Sequence, residues 1–208
     1  SDTITILRDR IYIDTVKSAD VTEDDLKRLM VGREVTGDYY RADYGEKVSD
    51  EVVLSVKNVT VPGIISDISF DLHKGEMLGF GGLSESGMHE VGKAIFGASY
   101  DREGTVTLAD GTQINDIPTA IKHSIAYTSK DRVLDSPTRG IDIKVKQDIY
   151  QLMNQMRKEG KSIIMISEEL MELIGMCDRI IIMKDGKING ELERNQDLNE
   201  NSLITMMV

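Results

Sequence analysis

The chain has 208 residues and a mass of 23.2 kDa, room for one ordinary domain or two small ones at roughly 100–200 residues each. Hydrophobic residues make up 40% and charged residues 29%, which supports a buried core and excludes collagen-like, low-complexity and wholly disordered classes. With 25 Lys and Arg against 36 Asp and Glu the net charge is −11, a surface that repels phosphate backbones and argues against nucleic acid as a partner. The chain opens on Asp2-Thr-Ile-Thr-Ile-Leu7, a strand already under way, so a fragment of a longer polypeptide is expected. Residues 2–31 and 178–208 look alike: Asp2 to Asp9 parallels Asp178 to Asp185, and Leu26, Leu29, Met30 and Val31 parallel Leu203, Met206, Met207 and Val208. Each copy predicts strand, turn, strand and short amphipathic helix, the first helix opened by a capping box of Thr22 and Asp25. Such spacing predicts tandem copies of one unit, the tail of one (residues 1–31) preceding most of another (51–208). Residues 32–50, rich in Gly, Asp, Tyr and Glu, form the expected linker, in which Tyr39, Tyr40 and Tyr44 could dock onto a surface.

From Glu51 strands and helices alternate. Val52–Val56 and Ile65–Leu72 predict strands, the second with Ile68, Phe70 and Leu72 in alternation. Glu76–Phe80 is a short apolar strand running into Gly81–Gly87 and then a helix to about Phe96. Gly104–Leu108, closed by Asp110-Gly111, resembles a hairpin arm, and Ile125–Tyr127 is a further expected strand. Asp142 to about Lys158 predicts a helix, with Asp142 as N-cap and Val145, Ile149, Leu152 and Met156 on one face. Ser162–Ile166 and Arg179–Met183 are continuously apolar, as in strands covered on both faces. The predicted fold class is α/β: a mainly parallel sheet flanked by helices, with an antiparallel β portion. A single cysteine, Cys177, excludes an intramolecular disulfide and a thiolate metal cluster and fits a reducing compartment, packed beside Met176. The 11 methionines read mostly as core, and His73, His89 and His123 lack metal-ligand spacing. No apolar run approaches the roughly 20 residues that span a bilayer, so a soluble cytoplasmic protein without membrane insertion is expected.

Two stretches carry candidate chemistry. A phosphate loop needs glycines so that backbone N–H groups turn toward an anion at a helix N-terminus. Gly82-Leu83-Ser84-Glu85-Ser86-Gly87 has the glycine spacing of a P-loop, whose next two residues should be Lys and Ser or Thr. Here they are Met88 and His89: methionine brings no charge to a terminal phosphate, neutral imidazole is a poor magnesium ligand, and Glu85 repels polyphosphate. A structural strand-to-helix turn is the competing reading of this loop. In the second stretch, Leu134-Asp135-Ser136-Pro137-Thr138-Arg139-Gly140-Ile141-Asp142, Asp135 could hold Mg²⁺, but Ser136 cannot orient water as a carboxylate would. A simple turn is the alternative there.

Ser136-Pro-Thr-Arg-Gly-Ile-Asp142, Ser162-Ile-Ile-Met-Ile-Ser-Glu-Glu-Leu170 and Met176-Cys-Asp-Arg-Ile-Ile-Ile-Met-Lys-Asp-Gly186 together resemble the second nucleotide-binding cassette of ribose/galactose-type sugar-importer ABC ATPases. Lys74–Gly79 and Lys93–Gly97 fit the strand and helix that flank such a cassette's phosphate loop, and residues 2–31 resemble the tail of the first cassette. The resemblance implies an ABC cassette core, ATP and Mg²⁺ as cofactors, two membrane subunits and a partner cassette, and a peripheral position at the cytoplasmic face of the membrane. It places Asp135 and Ser136 at the Walker B position and Glu168 at the switch-histidine position.

The departures from the family pattern are as informative. The phosphate loop lacks Lys and Ser/Thr, the water-orienting glutamate is Ser136, the switch histidine is Glu168, and no aromatic residue stands near Val61-Pro62-Gly63 to stack on adenine. Tyr127-Thr-Ser-Lys-Asp-Arg132 resembles the lead into the Q-loop, with Lys130 where an acidic residue is usual. Arg132 is followed at once by Val133-Leu134-Asp135, so the helical subdomain with its Leu-Ser-Gly-Gly motif is missing from the sequence, and Asp135 could derive from either side of the gap. The expected function is therefore a fragment of a carbohydrate importer's ATP-binding subunit that is weak or inactive in ATP hydrolysis. The alternative is a non-catalytic interaction or dimerisation module on a degenerate P-loop fold.

Overall fold

Alternating β-branched and polar residues build the first hairpin, in which β1 (Thr3–Arg8) pairs antiparallel with β2 (Ile11–Lys17). The structure, a computed structural model, describes residues 2–8, 11–21, 40–43, 47–128 and 143–207. These fall into two compact units, one drawn from residues 1–42 and 137–151, the other from 43–136 and 152–208. In the first unit the hairpin runs into a 3₁₀ turn at Ser18–Asp20, and the Tyr40 ring lies 5.8 Å from that of Tyr150. Thus one linker tyrosine does meet a partner. The helix expected after Thr22, with the acidic run Glu23-Asp24-Asp25, and Tyr39, Tyr44, Lys130, Asp135, Ser136 and Asp142 lie outside the described residues.

The second unit carries two sheets. β3 (Val52–Val61) pairs antiparallel with β4 (Ile65–His73) and, on its other edge, with β6 (Glu103–Leu108). The alternation expected in β4 is realised: Ile65, Ile68, Phe70 and Leu72 are buried. β6 is closed by a turn, with a single bridge from Thr107 to Gln113. The other sheet has the order β7-β5-β8-β9, where β5 is Met77–Gly82, β7 Ile163–Ile166, β8 Arg179–Lys184 and β9 Lys187–Glu193. β5 pairs parallel with both β7 and β8, and β9 returns antiparallel on β8. The helices of this unit are α1 (Met88–Ile95), α2 (Ile117–Lys122), α4 (Leu170–Met176) and α5 (Glu200–Met207), while α3 (Ile143–Lys158) has residues 143–151 in the first unit and 152–158 in the second. α2 starts where Asp116 caps it by accepting from the Thr119 amide at 2.8 Å.

The core lies between the sheets: Val56, Val59, Ile68 and Val106 from one, Leu78, Phe80, Ile181 and Met183 from the other, with Met88, Val91 and Ala94 of α1 among them. Phe70 and Phe80 meet edge to face at 5.1 Å. At the entrance to β8, Arg179 donates to Glu76 at 2.7 Å, and Glu76 is almost wholly buried. Burial works against the Arg179 charge, but hydrogen bonds to Glu76 and Glu191 outweigh it and raise its pKa. Cys177 is buried beside Met176 as expected.

Two expectations need correction, and one helix face stands open. Ile125–Tyr127 is not a strand: the Ile125 amide donates to Ala120 O at the end of α2, and the Tyr127 ring stacks on Phe96, so no ladder forms. β7 is only half-buried along its length rather than covered on both faces, with Ile164 and Ile166 packed against the core. The α3 stripe of Val145, Ile149, Leu152 and Met156 has helical period yet is exposed, Leu152 by 56%. Among the methionines, Met156 and Met171 are likewise exposed, whereas Met77, Met88, Met176, Met183 and Met207 are core.

Candidate functional site

β5 delivers the chain to the loop. Its glycines are spacing elements: a Cβ on Gly79 would stand 2.8 Å from Cys177 Sγ, and one on Gly81 2.8 Å from Leu173 Cδ1, so helix α4 lies directly on the strand. At the strand's end a Cβ on Gly82 would meet Met183 O at 2.7 Å. The chain then turns, with the Ser86 amide donating to Leu83 O at 2.8 Å, and enters α1 through Gly87, whose φ of 87° is left-handed and suits glycine. The turn is tied down from below. The Gly186 amide donates to Ser86 O at 3.1 Å, and Gly186 O accepts from the Ser66 amide at 2.8 Å.

This is the strand–turn–helix of the expected phosphate loop, and Gly82, Leu83, Ser84, Glu85, Ser86, Gly87, Met88 and His89 all lie on it. Their side chains do not make an anion site. Met88 stands at the lysine position and is 0% exposed, its side chain packed in the core. Leu83, Ser84 and Glu85 face solvent, so the most accessible charge on the turn is a carboxylate. Ser86 is 4% exposed, and its Oγ has no hydrogen-bond partner.

Glu168 comes to the loop from β7. The parallel register sets Phe80 beside Ile166, and the Ser167 amide donates to Phe80 O at 3.2 Å, which brings residue 168 alongside the turn. There Glu168 Oε1 accepts from Ser84 Oγ at 3.3 Å and stands 3.6 Å from His89 Nε2. The Nε2 atom is itself shielded from solvent and makes no hydrogen bond. The other two histidines also sit beside carboxylates, His73 by Glu76 at 3.2 Å and His123 by Asp110 at 3.9 Å. Among the described residues no group of three or more His, Cys, Asp or Glu side chains could hold a metal ion. The glycine spacing points to His89 and the family resemblance to Glu168; their meeting across 79 positions is set by the β5–β7 pairing.

The residues therefore do not fit a bound polyphosphate. A lysine is replaced by a core methionine, and two carboxylates, Glu85 and Glu168, stand on or beside the loop where negative charge would have to enter. Asp135 and Ser136, expected at the Walker B position, lie outside the described residues.

No protein-family model matches the chain. In sequence it is 30% identical, over 94% of its own length, to a putative ribose/galactose/methyl galactoside import ATP-binding protein of Agrobacterium fabrum, covering 54% of that protein. It is 34% identical, over 92% of its length, to the xylose import ATP-binding protein XylG of Thermoanaerobacter pseudethanolicus, covering 55% of it. The ribose import ATP-binding protein RbsA of Lactococcus lactis is 30% identical, with 97% of this chain and 56% of that protein covered. The chain thus spans about half the length of the curated relatives it matches. Among solved structures, the ATP-binding subunit of an ABC transporter superposes with a TM-score of 0.59 at 15% identity, over 74% of this chain and 99% of that one. A nucleotide-free ATP-binding cassette superposes with a TM-score of 0.57 at 13% identity, over 76% and 99%. The fold is that of an ABC ATPase cassette, and the sequence relatives are ATP-binding proteins of sugar import. Among the described residues no helix is long and apolar enough to cross a membrane.

Proposed function

We propose that the chain is a portion of the ATP-binding subunit of a carbohydrate importer. Residues 51–208 form the core of a second cassette without its helical subdomain, 1–31 the tail of a preceding cassette, and 32–50 the linker. In the whole protein this subunit works with membrane subunits and a partner cassette at the cytoplasmic face. The portion described here binds ATP and Mg²⁺ weakly or not at all and does not hydrolyse ATP.

Three findings support this reading. The relatives act in ribose, galactose and xylose import by name. The match to the first of them runs over 279 positions, more than the 208 residues of this chain, so the relative holds residues inside the matched region that have no counterpart here. The hairpins β1–β2 and β8–β9 pair residue for residue at one constant spacing in the sequence, Thr3↔Lys17 with Arg179↔Glu193 through Arg8↔Ile11 with Lys184↔Lys187, as tandem copies of one unit would.

The observation that carries the loss of activity is Met88. An apolar side chain sunk in the core at the lysine position leaves the loop without the cation that phosphoryl transfer relies on. The test is direct. Thermal melting of the purified chain should not move with millimolar Mg-ATP, since a ligand that binds the native state must raise its stability. Release of phosphate from Mg-ATP should match the buffer blank. Hydrolysis above the blank, abolished by Asp135→Asn, would sink the reading.

The exposed α3 stripe favours a second reading, a non-catalytic module that associates through that face. Sedimentation decides it: under that reading the chain is dimeric at micromolar concentration and Leu152→Ser makes it monomeric.

A further inference from the structure

The contacts of Glu168 at the loop go beyond the loss of a lysine. We infer that Glu168 is a resident anion that latches the turn: its carboxylate stands against Ser84 of the turn and His89 of helix α1, where it repels an incoming phosphate, and it holds the turn in the absence of any ligand. The inference rests on the reading of Gly82–Gly87 as a degenerate phosphate loop.

Two contacts carry it. Ser84 Oγ, on the turn, donates to Glu168 Oε1 at 3.3 Å, and His89 Nε2, in the first turn of α1, stands 3.6 Å from the same oxygen. One carboxylate oxygen thus spans the turn and the start of the helix. A carboxylate held beside the turn repels a second anion that approaches it. His89 Nε2 is shielded from solvent without a hydrogen bond, and Glu168 is the carboxylate within reach of it. The anchor behind Glu168 is firm, because Ser167 is tied to Phe80 O through its amide and to Glu172 through its hydroxyl at 2.6 Å. Sequence alone shows a glutamate where a histidine is expected. The contacts show that the exchange puts a carboxylate against the loop and ties it to the turn through the Ser84 hydroxyl.

The experiment uses the full 208-residue chain without nucleotide. Amide hydrogen exchange is followed at residues 84–89 in the unsubstituted chain, in Glu168→Ala, in Glu168→Gln and in Glu85→Gln, and each is then titrated with inorganic phosphate. Glu85→Gln removes one charge from the exposed turn without touching the latch, so it controls for charge alone. Glu168→Ala should speed exchange across the turn by a factor of about two to five, the scale of one solvent-exposed charged contact, while Glu85→Gln should leave it unchanged. Glu168→Ala should also show saturable shifts at residues 86–89 in millimolar phosphate that the unsubstituted chain lacks. Glu168→Gln, which keeps an acceptor for Ser84, should fall between the two and covers the case in which the alanine variant folds poorly. Unchanged exchange in Glu168→Ala, equal acceleration in Glu85→Gln, or a loop that still takes no phosphate once the carboxylate is gone would each overturn the latch. ATP turnover by the unsubstituted chain would instead strike the functional reading, and exchange measured without nucleotide keeps the two failures apart.

Discussion

The hairpins β1–β2 and β8–β9 are the same object in two surroundings. Their pairings match at every position, and even the irregularity in the ladder recurs, between Ile6 and Leu7 in one and between Ile182 and Met183 in the other. Their burial matches at Ile6 and Ile182, both buried, and differs elsewhere. Ile180, Ile181, Ile182 and Met183 are wholly buried, because β8 lies between β5 and β9. On β1, Thr3 and Thr5 are exposed, and among the described residues its only ladder partner is β2. Register is a local property, set by the alternation of side chains and the turn, whereas burial depends on what is laid against each face and edge. The composition follows the surroundings: where β8 has Ile181, β1 has Thr5, and where β8 opens with Arg179 bound to buried Glu76, β1 opens with Thr3.

Substitutions can break or sharpen that contrast. The largest effect is expected at the anchor that β8 has and β1 lacks. Glu76→Ala leaves the Arg179 guanidinium half-buried without its main partner, and should cost about 3–5 kcal/mol in urea unfolding. Next comes the strand interior. Ile181→Ala should lower stability by about 2–5 kcal/mol, while Thr5→Ala, its counterpart on β1, should stay within about 0.5 kcal/mol. Equal losses at the two positions would mean that the hairpins are equally covered, and the contrast would fail. Smaller again is Gly79→Ala on β5, the strand that supports β8. Its new methyl would press on Cys177 Sγ, for about 1–3 kcal/mol of destabilisation, and the double variant with Cys177→Ala should recover part of that loss in a coupling cycle. The smallest effect is expected on α3, where Leu152→Ser changes an exposed side chain and should alter unfolding by no more than about 0.5 kcal/mol.

Much of the fold is legible in the residues. The apolar runs at Met77–Phe80, Ile163–Ile166 and Ile180–Met183 announce strands of a parallel sheet, and the alternation in Ile65–Leu72 announces an antiparallel one. The strand–glycine turn–helix at 77–95 is equally plain, as is the absence of a lysine at position 88. Periodicity misleads where it meets an open surface: Val145, Ile149, Leu152 and Met156 have the spacing of a buried face and are exposed, since a helix's pattern states which face seeks cover and not whether cover is present. Ile125–Tyr127 has strand-forming residues but no ladder to join, and its Tyr127 finds Phe96 instead.

The candidate site divides in the same way. That position 88 carries no charge and that position 168 carries a carboxylate can be read from the chain, because residue type decides charge. That the Met88 side chain turns into the core, and that Glu168 reaches both Ser84 and His89, was decided only when β5 and β7 paired in register and set the two loops side by side. Local composition determines which groups are available and which backbone shapes they favour; long-range pairing determines which of those groups lie close enough to interact, since hydrogen bonds and ion pairs act over a few ångströms and the chain between them spans 79 positions.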